Sequence, residues 1–139
     1  MGMKADLLAP VRAGALYFAI VFAAGFVLGA IRTLLLAPRV GDFAAVAIEL
    51  PIMLAVAWIA CGAVLRWIRP GQGMAAHAVM GFVAFALLMA AELALSLALG
   101  APSVAAWLAG LTSAPGLLGL AGQVAFAVFP MVRQRPASN

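Results

Sequence analysis

The chain has 139 residues, of which 68% are hydrophobic and 9% charged, and its mean hydropathy is +1.20. A soluble domain of this length must cover its surface with polar groups, and four acids and eight bases are too few to do so. The composition therefore excludes a soluble globular domain and predicts an integral membrane protein. The net charge of +4 comes from bases that stand singly or in pairs, so it does not indicate a nucleic-acid partner.

Four apolar stretches are separated by glycine, proline and charged residues, and each is long enough to cross a bilayer. Each is predicted to be a helix, because an isolated sheet edge in hydrocarbon would leave backbone groups without hydrogen bonds. The predicted fold is all-α, with residues 1–139 forming a single domain of four transmembrane helices in an antiparallel bundle. The predicted spans are residues 13–36, 43–65, 75–99 and 115–132.

The first span follows a basic N-terminal start, as the core of a signal peptide would. Its apolar run continues to Leu36, however, and is longer than the roughly 7 to 15 residues of a signal core. The sequence therefore predicts an uncleaved span that is closed by Pro38. Pro38 and Gly41 are expected to form a tight connection to the second span, with Arg39 and Asp42 at its rim.

The later spans carry further local signals. Pro51 lies inside the second span and is predicted to kink it, freeing a backbone carbonyl near Glu49. Cys61, the lone cysteine, is expected to be a packing residue. Before the fourth span, Ser103 is predicted to cap a short helix lying at the interface, with Trp107 as its anchor.

The positions of the basic residues predict the orientation. Six of them come before the first span, between the second and third, or after the fourth, so all six fall on one side. The positive-inside rule places both termini in the cytoplasm. Tyr17 and Trp67 are then expected toward the inner interface, and His77 is expected to be an interfacial residue. The six bases are Lys4, Arg12, Arg66, Arg69, Arg133 and Arg135.

Each span brings one strongly polar residue to a similar depth below the outer face. At about 1.5 Å per residue, Arg32 lies about 6 Å deep, Glu49 about 9 Å, Glu92 about 10 Å and Gln123 about 12 Å. A charge deep in a span costs roughly 2.5 to 3.5 kcal/mol, so these groups are expected to meet inside the bundle. We call these four residues the polar layer.

Within the polar layer, Arg32 is predicted to bridge one or both carboxylates, because its planar fork can satisfy two acceptors at once. Two ionised glutamates beside one arginine would leave a net negative charge unless Arg39 folds back into the site. Otherwise one of Glu49 and Glu92 is expected to carry a proton.

Three functions are compatible with this pattern. The first is a structural or accessory subunit in which the polar layer is a buried latch. The second is proton-coupled transport of a small molecule, with Glu92 or Glu49 exchanging the proton. The third is an intramembrane enzyme acting on a lipid, in which Arg32 or Arg39 holds a phosphate and a glutamate is the base.

An enzyme mechanism of the soluble type has no support in the sequence. No cluster of His, Cys or carboxylates has metal-ligand spacing, no glycine-rich phosphate loop is present, and no serine has an identifiable base. No cofactor and no metal are therefore expected. The expected partners are the lipid bilayer and either a second copy of the chain or another membrane protein.

Three segments, namely "IRTLLLAPRVGDFAAVAIELPIMLAVAWIACGAVLRW", "GFVAFALLMAAELALSLALG" and "GLLGLAGQVAFAVFP", together resemble small, uncharacterised four-span bacterial inner-membrane proteins. The likeness covers nearly the whole chain. It implies a bacterial inner-membrane location and implies no activity, substrate or site residue.

Overall fold

The computed structural model describes residues 3–71 and 73–134, with side chains described from Leu7 onward. Among the sequence signals used above, Arg135 and the side chain of Lys4 lie outside the described residues. The helical elements are α1 (Met3–Ile31), a π-helix (Arg32–Leu36), α2 (Ala37–Val40), α3 (Asp42–Trp67), α4 (Met74–Ala98), α5 (Val104–Leu111) and α6 (Ala114–Arg133).

Four of the helical segments are long and apolar enough to cross a membrane, which confirms the predicted all-α fold of a multi-pass membrane protein. The first of them combines α1, the π-helix and α2. The four described spans are Leu7–Val40, Asp42–Trp67, Met74–Ala98 and Ala114–Arg133.

The predicted end of the first span is wrong. The helix does not close before Pro38 but continues to Val40, and the chain turns at Gly41 alone. Gly41 has φ 87° and ψ 164°, a backbone conformation that side-chain-bearing residues rarely adopt, so the turn depends on glycine. Its N–H donates to the Ala37 carbonyl, and its carbonyl accepts from Ala45 N–H at the start of α3.

The π-helix explains how Pro38 fits inside this span. In a regular α-helix the proline ring would crowd the carbonyl of Leu34, and the missing N–H would leave that carbonyl without its donor. The wider turn from Arg32 to Leu36, in which Ala37 N–H donates to the Arg32 carbonyl, inserts one extra residue just before the proline. The wide turn therefore begins at Arg32, the arginine of the polar layer.

The four spans form a ring in which each contacts two others. The first span packs against α3 and α4, and α6 packs against the same two helices. Successive spans run in opposite directions, so the first span and α4 are parallel neighbours, as are α3 and α6. The short helix α5 lies against α4 and α6.

Most of the buried core lies in one half of the bundle. We call the half that holds the 68–73 linker and the described ends of the chain the terminal half, and the other the Gly41 half. Two glycines allow close packing in the terminal half: a Cβ on Gly14 would lie 2.6 Å from the Met80 carbonyl oxygen, and one on Gly81 would overlap the Ala127 carbonyl. The buried core residues of this half include Ala13, Tyr17, Ala60, Cys61, Val64, Met80, Ala84 and Phe126.

Tyr17 belongs to this core and faces the interior of the bundle. Its predicted depth, toward the inner interface, stays a prediction. Tyr17 is fully buried, its ring stacks on Phe126 at 4.4 Å, and its hydroxyl donates to the Phe126 carbonyl at 2.6 Å. That carbonyl would normally accept from residue 130 of the same helix, but Pro130 has no N–H. Tyr17 therefore supplies, from across the bundle, the hydrogen bond that the proline removes.

His77, in the first turn of α4, is likewise buried, with 6% of its surface exposed. Its predicted place at the interface stays a prediction. Its Nδ1 lies 2.8 Å from the Gly73 carbonyl oxygen, a pairing that closes the first turn of α4. Cys61 is a free, fully buried thiol in the core, as expected for a packing residue.

The predicted short helix between the third and fourth spans is present as α5. The Ser103 hydroxyl accepts from Ala106 N–H at 3.1 Å, which is the predicted N-cap. Ser113 caps α6 in the same way by accepting from Gly116 N–H, and Pro115 occupies the first turn, where its missing N–H costs nothing.

Candidate functional site: a polar layer in the Gly41 half

Arg32 and Glu49 form an ion pair between the first span and α3. Nη1 of Arg32 donates to Oε1 of Glu49 at 2.5 Å. The arginine side chain is 34% exposed and the glutamate side chain 12%, so the pair lies on the flank of the bundle with the carboxylate on the inside. The charge-assisted bond fastens the two antiparallel helices on either side of Gly41.

Gln123 and Glu92 form the second contact, between α6 and α4. Nε2 of Gln123 lies 2.7 Å from both carboxylate oxygens of Glu92 and donates to them. Both residues are half-buried. Of the two carboxylates that Arg32 was predicted to bridge singly or together, it pairs with Glu49 alone, and an amide from α6 pairs with Glu92.

We call these two contacts the helix clasps. Both join antiparallel neighbours, so together they tie the first span and α4 to α3 and α6. Because the first span ends at Val40, Arg32 lies about 12 Å from its helix end, deeper than its predicted 6 Å. Counted from the observed ends, Glu49 lies about 10 Å deep, Glu92 about 9 Å and Gln123 about 14 Å, so all four occupy one band.

The two clasps also interact electrostatically. Arg32, Glu49 and Glu92 lie in one band of the bundle, where the low dielectric lets charges interact over longer distances than in water. The band holds two carboxylates and one guanidinium, so it lacks one positive charge when both acids are ionised. A proton or a bound cation would balance it.

One buried polar atom of the layer lacks a partner. Oε1 of Gln123 is buried and receives no hydrogen bond from any described residue. An amide oxygen carries two lone pairs, and leaving it unsatisfied in a low-dielectric site costs about 1 to 3 kcal/mol. Rotating the amide would let a protonated Glu92 donate to this oxygen, so the geometry accommodates a proton.

The remaining predicted site residues lie apart from the layer. Arg39 and Asp42 are both exposed near the Gly41 turn and form no ion pair with each other, so Arg39 does not fold back into the site. Pro51 is exposed on the surface of α3, and that helix continues through it from Asp42 to Trp67 without a break. Pro51 has no N–H, so position 51 donates no hydrogen bond to the Ala47 carbonyl one turn earlier. The predicted kink beside Glu49 stays a prediction.

Two features of the site were missed by sequence reasoning. The first is the π-helix at Arg32. Pro38 is the sequence feature that could have indicated it, because a proline inside a helix disturbs the hydrogen bonds of the preceding turn. The pairing of Glu92 with Gln123 was visible only as a shared depth, because spacing along the chain does not say which helices are neighbours.

A separate apolar cavity of about 360 Å³ lies in the terminal half, between the start of α1, the linker after α3 and the start of α4. No member of the polar layer lines it. Its lining residues are Leu7, Pro10, Pro70, Gly71, Ala75, Ala76 and Val79.

Comparison of the chain with protein-family models, curated proteins and solved structures finds no match. The geometry of the polar layer is therefore the basis on which a function is proposed.

Proposed function

We propose that the protein is a structural or accessory subunit of a bacterial inner membrane, in which the polar layer latches the four spans into one arrangement. The observation that carries this proposal is that each carboxylate is paired with a side chain from a neighbouring antiparallel span, Glu49 with Arg32 and Glu92 with Gln123.

The physical reason for a latch is the weak driving force for helix association in lipid. Lipid tails are as apolar as leucine, so the hydrophobic effect does not select one helix arrangement over another. Close packing and polar contacts select it instead. An ion pair such as Arg32–Glu49 penalises every arrangement that separates its partners, even where it adds little net stability.

The latch is tested by exchanging the charges of the ion pair. Arg32→Glu and Glu49→Arg are each expected to lower the yield of folded protein in detergent, because each single change places like charges together. The double variant is expected to recover yield. Arg39→Glu is the matched control and should leave the yield unchanged, because Arg39 is exposed and makes no ion pair with any described side chain. A double variant that folds no better than either single variant would contradict the latch.

Proton-coupled transport is the second candidate, and one observation favours it. The orphaned Oε1 of Gln123 and the extra carboxylate both suit a proton that Glu92 takes up and releases. In this mechanism the amide of Gln123 turns to accept from protonated Glu92 and turns back to donate to the carboxylate.

Liposomes with a trapped pH dye distinguish the two candidates. The latch predicts that wild-type protein moves protons no faster than a folded Glu92→Gln variant under an imposed pH gradient. Proton flux in the wild type that a well-folded Glu92→Gln variant has lost would establish transport in place of the latch.

For the topology we propose that both termini face the cytoplasm. The support is the set of basic residues that the sequence places before the first span, between the second and third, and after the fourth. Alkaline phosphatase fused after Asn139 should be inactive and green fluorescent protein at the same point fluorescent. The reverse pattern would invert the topology without affecting the latch.

As a subunit, the protein is proposed to associate with a second copy or with another membrane protein. Light scattering in mild detergent, corrected for bound detergent, tests the first of these: a mass of twice the chain supports the homodimer, and a monomer mass contradicts it.

A further inference from the structure

Arg133, in the last turn of α6, folds back into the seam between α6 and α3. Its Nη1 donates to the Trp58 carbonyl at 2.7 Å, and its Cζ lies 4.5 Å from the centre of the Trp58 ring. The Trp58 and Phe129 rings pack nearly perpendicular to each other, with their centroids 5.1 Å apart. The guanidinium is therefore held by a backbone oxygen and by the face of an aromatic ring.

Gly62 makes room for this arrangement. A Cβ at Gly62 would lie 2.8 Å from Cζ of Arg133, so only glycine leaves the guanidinium its place against α3. Gly62 itself is buried, and Arg133 is half-buried. The seam is thus shaped to hold a planar cation about one to two turns below the end of α3.

This cation has no carboxylate partner among the described side chains. The described acids, Asp42, Glu49 and Glu92, all lie in the Gly41 half. A guanidinium offers five N–H donors, and within the described chain only one protein acceptor, the Trp58 carbonyl, receives a hydrogen bond from it.

A second arginine lies one turn further on the same face of α3. Gly62 and Arg66 are separated by four residues, the spacing that places helix side chains next to each other. Arg66 is exposed. Two full positive charges exceed the partial negative charge of about half a unit at the C-terminal ends of α3 and α6, so the seam remains positive.

We infer that Arg133 and Arg66 form a binding site for the phosphate group of an anionic phospholipid, at the end of the α3–α6 seam in the terminal half. Guanidinium forks match phosphate oxygens, and the half-buried seam opens where helices end and lipid headgroups lie. Basic pockets between transmembrane helices are suited to anionic headgroups. Trp58 and Phe129 supply an apolar wall for the adjoining acyl chain.

The test uses the full-length protein in nanodiscs of phosphatidylcholine alone and of phosphatidylcholine mixed with phosphatidylglycerol. Lipid retained after transfer to detergent is measured by native mass spectrometry. Wild-type protein is expected to retain phosphatidylglycerol selectively, and Arg133→Gln and Arg66→Gln are each expected to weaken that binding roughly fivefold. Arg39→Gln removes the same charge in the Gly41 half and is expected to bind as the wild type does.

Three results would overturn the assignment. They are equal retention by the wild type and both variants, an equal loss in the Arg39→Gln control, and displacement of the lipid by inorganic phosphate at the same concentration. The last result would assign the site to a soluble phosphate.

The test does not depend on Arg133 alone. Arg66 is exposed and makes no side-chain hydrogen bond to any described residue, so Arg66→Gln is expected to fold even if Arg133→Gln does not. Gly62→Ala gives a second measurement, because its methyl group displaces the guanidinium while every charge remains. It is expected to lower phosphatidylglycerol retention, and unchanged retention would contradict the role of the seam.

Discussion

The two halves of the bundle are held together in different ways. In the terminal half, small residues let backbones approach, and Tyr17, Met80 and Cys61 are fully buried between the helices. In the Gly41 half, Ala45 is a rare fully buried residue, and the spans are joined by the two helix clasps. Polar contacts therefore join the spans in the half with fewer fully buried side chains, as expected when lipid offers no hydrophobic force between helices.

The two halves also differ in the partners of their partly buried arginines. In the Gly41 half, Arg32 meets a carboxylate from a neighbouring helix. In the terminal half, Arg133 meets a carbonyl and an aromatic ring, and acids are scarce. The Gly41 half therefore pairs its partly buried arginine with an acid of the chain and keeps one carboxylate in excess, whereas Arg133 in the terminal half has no described carboxylate partner.

The largest expected effect comes from breaking the ion pair in the Gly41 half. Arg32→Ala leaves Glu49 without its cation and is expected to lower the free energy of unfolding by about 3 kcal/mol, the low end for a buried pair because the arginine is one-third exposed. Denaturant titration in detergent measures this. Arg39→Ala, at an exposed position, should change the free energy of unfolding by less than about 0.5 kcal/mol. Equal effects of Arg32→Ala and Arg39→Ala would show that the ion pair contributes no more stability than an exposed arginine does.

A comparable test in the terminal half alters packing alone. Gly81→Ala places a methyl group against the Ala127 carbonyl, so α4 and α6 must separate, at an expected cost of about 2 kcal/mol. Gly119→Ala is the matched control, because a Cβ there meets nothing within 4 Å. Thermal unfolding that shifts equally for both variants would show that the terminal half is not closely packed.

The third effect isolates the hydrogen bond that crosses the core. Tyr17→Phe leaves the Phe126 carbonyl without a donor and is expected to cost about 1.5 kcal/mol. In a Pro130→Ala background, the backbone N–H gained at position 130 can satisfy the same carbonyl, so the cost of Tyr17→Phe should fall toward zero. A double-mutant cycle with no coupling would reject this explanation of the tyrosine.

The smallest expected effect is at the second clasp. Gln123→Leu removes the donor to both Glu92 oxygens and is expected to cost about 1 kcal/mol, the usual scale for an intramembrane hydrogen bond. Glu92→Leu combined with Gln123→Leu should recover most of that loss, because both polar groups are then gone. A double variant less stable than Gln123→Leu alone would show that Glu92 has another essential partner.

The sequence predicts the elements of this fold better than their pairing. Apolar length alone placed the second, third and fourth spans within one or two residues of α3, α4 and α6, because the bilayer thickness fixes helix length. The prediction at Pro38 was wrong because proline was expected to end the helix, whereas the wider π-helical turn before it accommodates the proline ring and the missing N–H.

For the candidate site, depth was predictable and partnership was not. The shared level of Arg32, Glu49, Glu92 and Gln123 follows from the 1.5 Å rise of a helix. Which group meets which depends on the order of helices around the ring, and that order depends on packing at small residues such as Gly14 and Gly81. The contact of Tyr17 was not predictable for the same reason. Its partner is the Phe126 carbonyl, which is free because Pro130 has no N–H, and helix packing brings the two together.

The wide turn at Arg32 has a consequence for the shape of the first span. One additional residue in a turn rotates everything beyond it by about 100° relative to an uninterrupted α-helix. The stripe that α1 presents to its neighbours is therefore out of phase with the stripe that α2 presents near Gly41. The first span is therefore one continuous helix in which the residues before and after the wide turn follow different helical phases, and Arg32 stands where the phase changes.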